Sequence, residues 1–488
     1  MFDYLNILKT ARLRPSKMTG RNILTESESD RGRVLFSPAF RRLQQKAQVF
    51  SMEPNAAVRS RLTHSFEVSQ IGRYIADLLS EKLGIATEQQ AGALVNFVET
   101  ACLMHDIGNP PFGHFGEEAI KKWFEDNGER CLRLSIGRPK PSDGACPDQA
   151  KVRDALVDFA DFDGNPQGLR IVARLQWNTD EFGLNLTKTS LASFMKYIRM
   201  AGGEKSGIFT KKAGYFTTER DLVESVWREF GYELPQRFPL AYIMEAADDI
   251  AYCISDLEDS FEKDIVRPDD ALSYVEEQYE RHEFEDGDPK HVDIRRAIRQ
   301  MRAKERESGG EFTFTDFRTS LNNVIVNYVA DRYVENHSKI LDGTLESLIP
   351  GNEPPGAILN AIRKFCREHV YTHESVQRVE LAGYNAIRGL LEQCSSLLCI
   401  SAEGFRAARA NEKQDAKGQA LVLEPKLLRL FPEKYIKVYD YHLKQAGGDE
   451  ADPFLEWTYR AHLIVDFISG MTDDFAMTTY RTLAGMRL

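Results

Sequence analysis

Residues 88–106, EQQAGALVNFVETACLMHD, are apolar on nearly every side of a helical wheel, which predicts a helix buried on all faces at the centre of the fold. Thr87 with Gln90 resembles a capping box that opens it, and Gly-Asn-Pro-Pro at 108–111 breaks it. Upstream, Val68, Ile71, Ile75, Leu78 and Leu79 recur at helical spacing, so about 63–83 forms a second helix with one buried face, closed by Gly84. Before that, Ser37-Pro38 reads as a cap and a first-turn proline, followed by a helix over AFRRLQQKAQVF (39–50). Residues 131–149 (CLRLSIGRPKPSDGACPDQ) read as a long surface loop, and 283–290 and 303–311 as charged connectors. Beyond about 271 the helical period returns, interrupted at 343–356 and 446–453, and alternating strand patterns are scarce. The fold expected is all-α. A catalytic part spans 1–270, and a helical part, 271–488, packs on it and serves oligomerisation.

With 488 residues, 42% hydrophobic and 28% charged, the chain is neither disordered, collagen-like nor membrane-embedded. A net charge of −11 gives no overall basic field for nucleic acid or lipid, so any anion site must be local. Lys9, Arg12, Arg14 and Lys17 are the nearest thing to a DNA-binding patch, and a solvated, mobile N-terminus is the simpler expectation. Seven scattered cysteines without a CxxC pair, no signal-like N-terminus and no long apolar run point to a cytoplasmic, non-membrane protein. The sequons at Asn185 and Asn336 are then chance matches. There is no GxxxxGK[ST] loop and no GxGxxG after a strand, which sets aside the common nucleotide folds.

Chemistry concentrates elsewhere. His105-Asp106 sits where the buried helix gives way to the proline turn, so both side chains can reach a cavity, although a buried His or Asp is more often a satisfied structural residue. In 239–262, Ile243, Ala247, Ile250, Ile254 and Leu257 form one stripe, while Asp248, Tyr252 and Asp256 align on the opposite face. Together with His64, these residues offer two imidazoles and two carboxylates, one of them from the Asp248-Asp249 pair. That set suits Mn²⁺, Fe²⁺, Zn²⁺ or another first-row ion, which would polarise a phosphoryl oxygen and acidify a bound water. His114 and Glu117 lie i, i+3, so the carboxylate can hold the imidazole, a spacing also common in plain surface pairs. Arg61, three residues before His64, has a donor fork suited to phosphate oxygens, and Lys211 or Lys212 is a second cation.

The segments RSRLTHSFEV (59–68), HDIGNPPFGHFGEEA (105–119), FDGNPQGLR (162–170) and EAADDIAYCISDLED (245–259) closely resemble the deoxyguanosine triphosphate triphosphohydrolases of the HD-domain superfamily. FRRLQQKAQVF (40–50) extends the resemblance upstream, and VELAGY (379–384) continues it more weakly. The HD core would cover about 59–257. The resemblance implies hydrolysis of a deoxynucleoside triphosphate, preferably dGTP, at its α-phosphorus to deoxynucleoside and triphosphate, limiting dNTP pools. It implies a divalent metal, Mn²⁺ or Mg²⁺ first and Fe²⁺, Co²⁺, Ni²⁺ or Zn²⁺ besides, on His64, His105, Asp106 and Asp248. Asp248 is preferred to Asp249 because the family's tyrosine and aspartate follow at four and eight residues, as Tyr252 and Asp256 do here. His114 would work near the attacking water or leaving 5′-oxygen with Glu117 orienting it, and Asn109 stands where some HD relatives carry histidine. Arg61, Gln48, Asn165 and Lys212, with Lys211 as the alternative to the last, would contact the nucleotide. Tyr252 would stack on the deoxyribose and Asp256 accept from its 3′-hydroxyl. Relatives form homo-oligomeric rings, often hexamers, and some respond to nucleotides or single-stranded DNA. The alternatives are an HD phosphohydrolase for a nucleoside monophosphate or cyclic nucleotide, and a catalytically silent nucleotide-binding regulator; the His114–Glu117 pair argues against the latter.

Overall fold

Prolines and short polar side chains set the helix starts. Pro38, Pro239, Pro268, Pro354 and Pro453 all occupy first turns, where the missing N–H has no intrahelical acceptor. Ser60 and Thr63 cap reciprocally, and Thr87 accepts from the Gln90 N–H. The computed structural model describes residues 6–85, 87–137, 148–307 and 314–486. In chain order the helices are α1 (Ile23–Leu35), α2 (Pro38–Arg42), α3 (Arg61–Lys82), α4 (Glu88–Met104), α5 (Gly113–Ser135), α6 (Gln149–Ala160), α7 (Gly164–Arg170), α8 (Lys188–Phe194), α9 (Arg220–Glu229) and α10 (Pro239–Glu262). The second half adds α11 (Pro268–Glu280), α12 (Pro289–Glu307), α13 (Phe314–Glu335), α14 (His337–Leu341), α15 (Pro354–Phe365), α16 (Glu374–Cys399), α17 (Ala402–Arg409), α18 (Glu424–Leu428), α19 (Glu433–Gln445), α20 (Pro453–Ser469) and α21 (Asp473–Leu483). Arg199–Met200 and Ala213–Tyr215 form a short parallel strand pair. The fold is all-α.

Helix α4 is the centre. Every residue from 93 to 104 is buried, and α1, α3, α8 and α10 surround it, as its all-round apolar pattern predicts. Helices from the second half reach these same elements: α13 lies on α3, α15 on α10, α16 along α5 and α21 on α16. Arg170, fully buried, joins Asp466 of α20 (2.9 Å) to Glu219 (2.8 Å), a polar tie between the halves beside the apolar ones.

Three expectations are corrected. The helix expected over 39–50 ends early: α2 passes into a 3₁₀ turn at Leu43–Gln45, and Ala47 then bridges to Ser60. The cause is tertiary, because the Lys46 amine and the Ala47 N–H bond to groups near residue 470 instead of continuing the helical ladder. Second, 303–307 are not part of a connector but extend α12, in keeping with the helix-favouring Ala, Lys, Glu and Arg there. Residues 308–313, like 138–147 of the loop expected at 131–149 with Cys146, lie outside the described residues, whereas 131–135 are not loop but the end of α5, with Cys131, Leu132, Arg133 and Ser135 buried, and Gln149 opens α6. Third, the basic N-terminal segment is anchored through Lys9, Arg12 and Arg14, and of its four cations Lys17 alone is exposed. Arg12 is buried against Glu26 and Asp30, Lys9 donates to the Glu229 carbonyl (2.5 Å) and Arg14 pairs with Asp180 (2.6 Å). Asp30 in turn accepts from the Thr187 N–H (2.8 Å) and Ser190 hydroxyl (2.7 Å), tying the N-terminus to α8.

Changing Arg12 to Met would leave Glu26 and Asp30 buried without their cation, a loss of about 3–5 kcal/mol. Urea unfolding of the variant is expected to show a correspondingly lower midpoint.

Candidate active site

Three helices deliver the site. The Ser60 cap starts α3 so that His64, one turn in, faces the core; α4 ends on His105; and α10 brings Asp248 between them. His64 Nε2 and His105 Nε2 each lie 3.5 Å from Asp248 Oδ1, and the ligand atoms of the three residues are within 4.8 Å of one another. His105 Nδ1 is 2.7 Å from the Cys102 carbonyl, which only accepts, so Nδ1 carries the proton and Nε2 presents its lone pair. His105 Nε2 and both nitrogens of His64 are buried without a hydrogen-bond partner among the described residues. Orphaned imidazole nitrogens facing a shared carboxylate fit a divalent cation, which would satisfy them together.

Asp106, the fourth expected ligand, sits at the edge of this cluster. Its Oδ2 is 3.5 Å from His105 Nε2 and 2.5 Å from Arg61 Nη1, while Oδ1 accepts from Asn109 (2.6 Å). Burial opposes ionisation of Asp106, but Arg61 and His105 outweigh it and hold the carboxyl down at about 2. Asp248 is likewise well below the usual range: burial raises it, and His105, Lys196 and His64 more than compensate. Both carboxylates therefore stay available as anions.

A cavity of about 690 Å³ opens on this cluster. His105, Asp106, Asp248, Gln48, Arg61, His114, Glu117, Asn165, Lys212, Tyr252 and Asp256 all line it; His64 lies behind its wall. Asp249 and Lys211 instead line an adjoining cavity of about 800 Å³. Asp249 faces Arg363 at 3.6 Å, and burial lifts its carboxyl to about 6. Arg61 is not a free cation but Asp106's partner, and Lys212 is paired with Asp163 at 2.7 Å. Asp163 also receives the Asn165 N–H and amide, which holds Asn165 at the start of α7.

His114 Nδ1 is 2.8 Å from Glu117 Oε2, and Glu117 Oε1 accepts from the Gly164 N–H at 2.8 Å. Burial works against the Glu117 anion, but His114, Lys212 and that N–H keep it below the ordinary glutamate value. A carboxylate only accepts, so Nδ1 donates and Nε2 is left to work in the cavity, on an imidazole 81% exposed. The turn that aims it is unusual: Phe112 has φ +62° and Gly113 φ +55°, and a Cβ at 113 would stand 2.8 Å from Arg61. Behind it, Gly108-Asn109-Pro110 packs on Gly164-Asn165-Pro166. A Cβ at 108 would meet the Gly164 oxygen at 2.0 Å, and one at 164 would meet Asn109 Oδ1 at 2.0 Å.

Tyr252 lies beneath the Arg363 guanidinium (5.2 Å), and Asp256 accepts from the Tyr371 hydroxyl (2.5 Å). Burial pushes the Asp256 carboxyl up to about 6 against the opposing pull of Tyr371. Lys196, Arg363, Arg367, Tyr371, Gln377 and Glu380 also line the cavity and were missed in the sequence. A signal existed for three of them, since Arg363, Arg367 and Tyr371 repeat at four-residue steps as Asp248, Tyr252 and Asp256 do. Glu380, within VELAGY, is raised to about 7 by burial, with His114 opposing.

Residues 61–148 match the HD domain family, a span containing His64, His105, Asp106, His114 and Glu117. A protein of Pseudomonas aeruginosa named "Probable deoxyguanosinetriphosphate triphosphohydrolase" is 37% identical over 486 residues, covering 96% of this chain and 94% of its own. The chain belongs to the deoxyguanosinetriphosphate triphosphohydrolase family. That near full-length match includes the second half, from which Arg363, Arg367 and Tyr371 enter the cavity of this triphosphohydrolase-family chain. Among the described residues no helix is long and apolar enough to cross a membrane.

Replacing His105 with Ala removes one of the converging imidazoles and is expected to weaken Mn²⁺ binding by more than about 100-fold. Calorimetric titration of the metal-free protein measures this directly, and unchanged affinity would place the ion elsewhere.

Proposed function

We propose that this protein is a metal-dependent hydrolase that cleaves deoxynucleoside triphosphates, dGTP foremost, to the deoxynucleoside and inorganic triphosphate, and so limits dNTP pools. One observation carries the reading: unpartnered imidazoles of His64 and His105 converge on Asp248 beside the same cavity that holds the His114–Glu117 pair. The guanine preference follows the name of the 37% identical relative. His64, His105, Asp106 and Asp248 would hold the ion, Mn²⁺ or Mg²⁺, although their N/O donor set also admits Fe²⁺, Co²⁺, Ni²⁺ and Zn²⁺. Once bound, the ion would polarise the α-phosphoryl oxygen and lower the pKa of a coordinated water.

The chain's own residues do the rest. Glu117 holds His114 through Nδ1, leaving Nε2 to exchange a proton with the attacking water or the leaving 5′-oxygen as water adds to the α-phosphorus and the bond to O5′ breaks. Arg61 and Lys212 bring positive charge to the triphosphate from anchored positions, and Gln48 and Asn165 add neutral donors. Tyr252 covers the sugar face and Asp256 accepts from the 3′-hydroxyl, so a 2′-hydroxyl meets a wall without a partner. The same reading carries a cytoplasmic homo-oligomer, a hexamer in the family's ring form, with 271–488 contributing to assembly and a nucleotide or single-stranded DNA as effector.

The test incubates the protein with Mn²⁺ and each of the four dNTPs and GTP, and identifies products by ion exchange. Deoxyguanosine with intact triphosphate, fastest from dGTP, is expected. Pyrophosphate or single phosphate would instead favour another HD phosphohydrolase activity, and no turnover at all a silent regulator. Exchanging Tyr252 for Ala is expected to shrink the dGTP-over-GTP preference by about tenfold or more; a preference left intact would remove Tyr252 from sugar selection.

A further inference from the structure

The turn that carries His114 is held from the far end of the chain. Asp473, buried in the first turn of α21, accepts the Phe112 N–H with Oδ1 (3.1 Å) and the Ala47 N–H with Oδ2 (3.0 Å). Beside it, the buried Lys46 amine, which burial lowers to about 7, donates to the Asn109 carbonyl (2.6 Å) and to the Ser469 carbonyl (2.9 Å), one of the orphan acceptors at the end of α20. A carboxylate and an amine thus clamp three backbone segments: 46–47, which leads to Gln48; 109–112, which leads to His114; and the α20–α21 junction.

The clamped conformation is not one the turn adopts by itself. Phe112 is left-handed, a backbone state that bulky residues take only when their surroundings impose it. The surroundings are specific: Asp473 takes its N–H, and its ring lies so close to α16 that a Cβ on Gly383 would stand 2.2 Å from it. Only a carboxylate suits position 473, because each of its oxygens faces an N–H; an amide there would turn a donor toward a donor.

We propose that Asp473 is a positioning residue for the hydrolysis, fixing Phe112 so that His114 Nε2 meets the reacting centre and fixing Ala47 so that Gln48 stays in the cavity, with the Lys46 amine closing the clamp on the Asn109 side. The inference rests on the hydrolytic reading of His114 given above. Asp473 touches neither metal ligand nor nucleotide, so its effect falls on geometry and not on the ion.

Asp473→Asn keeps the size of the side chain and breaks one of the two contacts. Its kcat on dGTP is expected to fall by about 10- to 100-fold, with Mn²⁺ affinity by calorimetry unchanged. A double-mutant cycle separates aiming from bulk destabilisation. In a His114→Ala background Asp473→Asn is expected to cost much less than in the wild type, because the imidazole to be aimed is gone and only the part acting through Gln48 is left. Full activity of Asp473→Asn, or losses that multiply in the cycle, would overturn the proposal. Should this variant not fold, Lys46→Met, which frees the Asn109 side of the clamp, enters the same cycle with the same two outcomes. Wild-type protein run alongside separates the premises: an inactive wild type removes the hydrolytic reading and this inference with it, whereas an active one with an undisturbed variant removes the clamp alone.

Discussion

Two buried imidazoles sharing one carboxylate oxygen set the terms for the rest of the fold. His64, His105 and Asp248 come from α3, α4 and α10, and their nitrogens stand 3.5 Å from the same oxygen. Three helix axes must therefore hold a fixed spacing, which explains why α4, enclosed by the others, is apolar all round. The polar side chains in its middle are each partnered, Asn96 with Ser27, Glu99 with Arg31 and Arg73, and Thr100 with the Asn96 carbonyl.

Burying this much charge demands compensation, and the structure supplies it in layers. Arg61 and Asn109 neutralise and orient Asp106, and Lys196 lies 3.4 Å from the second oxygen of Asp248. Farther out, Arg59 gathers Glu67, Glu258 and Asp259, joining the start of α3 to the end of α10 beyond the metal cluster. Each layer ties together segments distant in sequence, so the charges that serve the chemistry also fix the arrangement of the helices.

Much of this was legible in the sequence, and the division has a physical basis. Helices α3, α4 and α10 were readable from the spacing of their apolar residues and, for α4, from the Thr87 cap, whereas the Ser60 cap that starts α3 at Arg61, two residues before the expected start, went unread. The preference for Asp248 over Asp249 came from the family's tyrosine and aspartate at four and eight residues, and of the two only Asp248 lines the cavity that holds His105 and His114. What could not be read depends on partners hundreds of residues away. Residues 46–47 leave their helix for groups near 470, and Arg12, already beside Glu26 and Asp30 of the nearby α1, is closed in by the distant Asn185 carbonyl. The contribution of α15 and its continuation to the cavity was hidden because arginines and a tyrosine at helical spacing look like any solvated face until a neighbour covers them.

The two Gly-Asn-Pro tripeptides at 108–110 and 164–166 meet backbone to backbone, each glycine leaving room for the other's segment. One leads into the helix of His114, and the other gives its Gly164 N–H to the carboxylate that holds that imidazole. Neither segment can acquire a side chain at its glycine while the other stays in place. The two positions are therefore bound unequally: Gly108 is held by the main chain of 164 and 168, which no exchange of side chains in the second tripeptide can clear, whereas the nearest obstacle at Gly164 is the side chain of Asn109, so a shorter residue at 109 opens room at 164 and nothing at 165 or 166 opens room at 108.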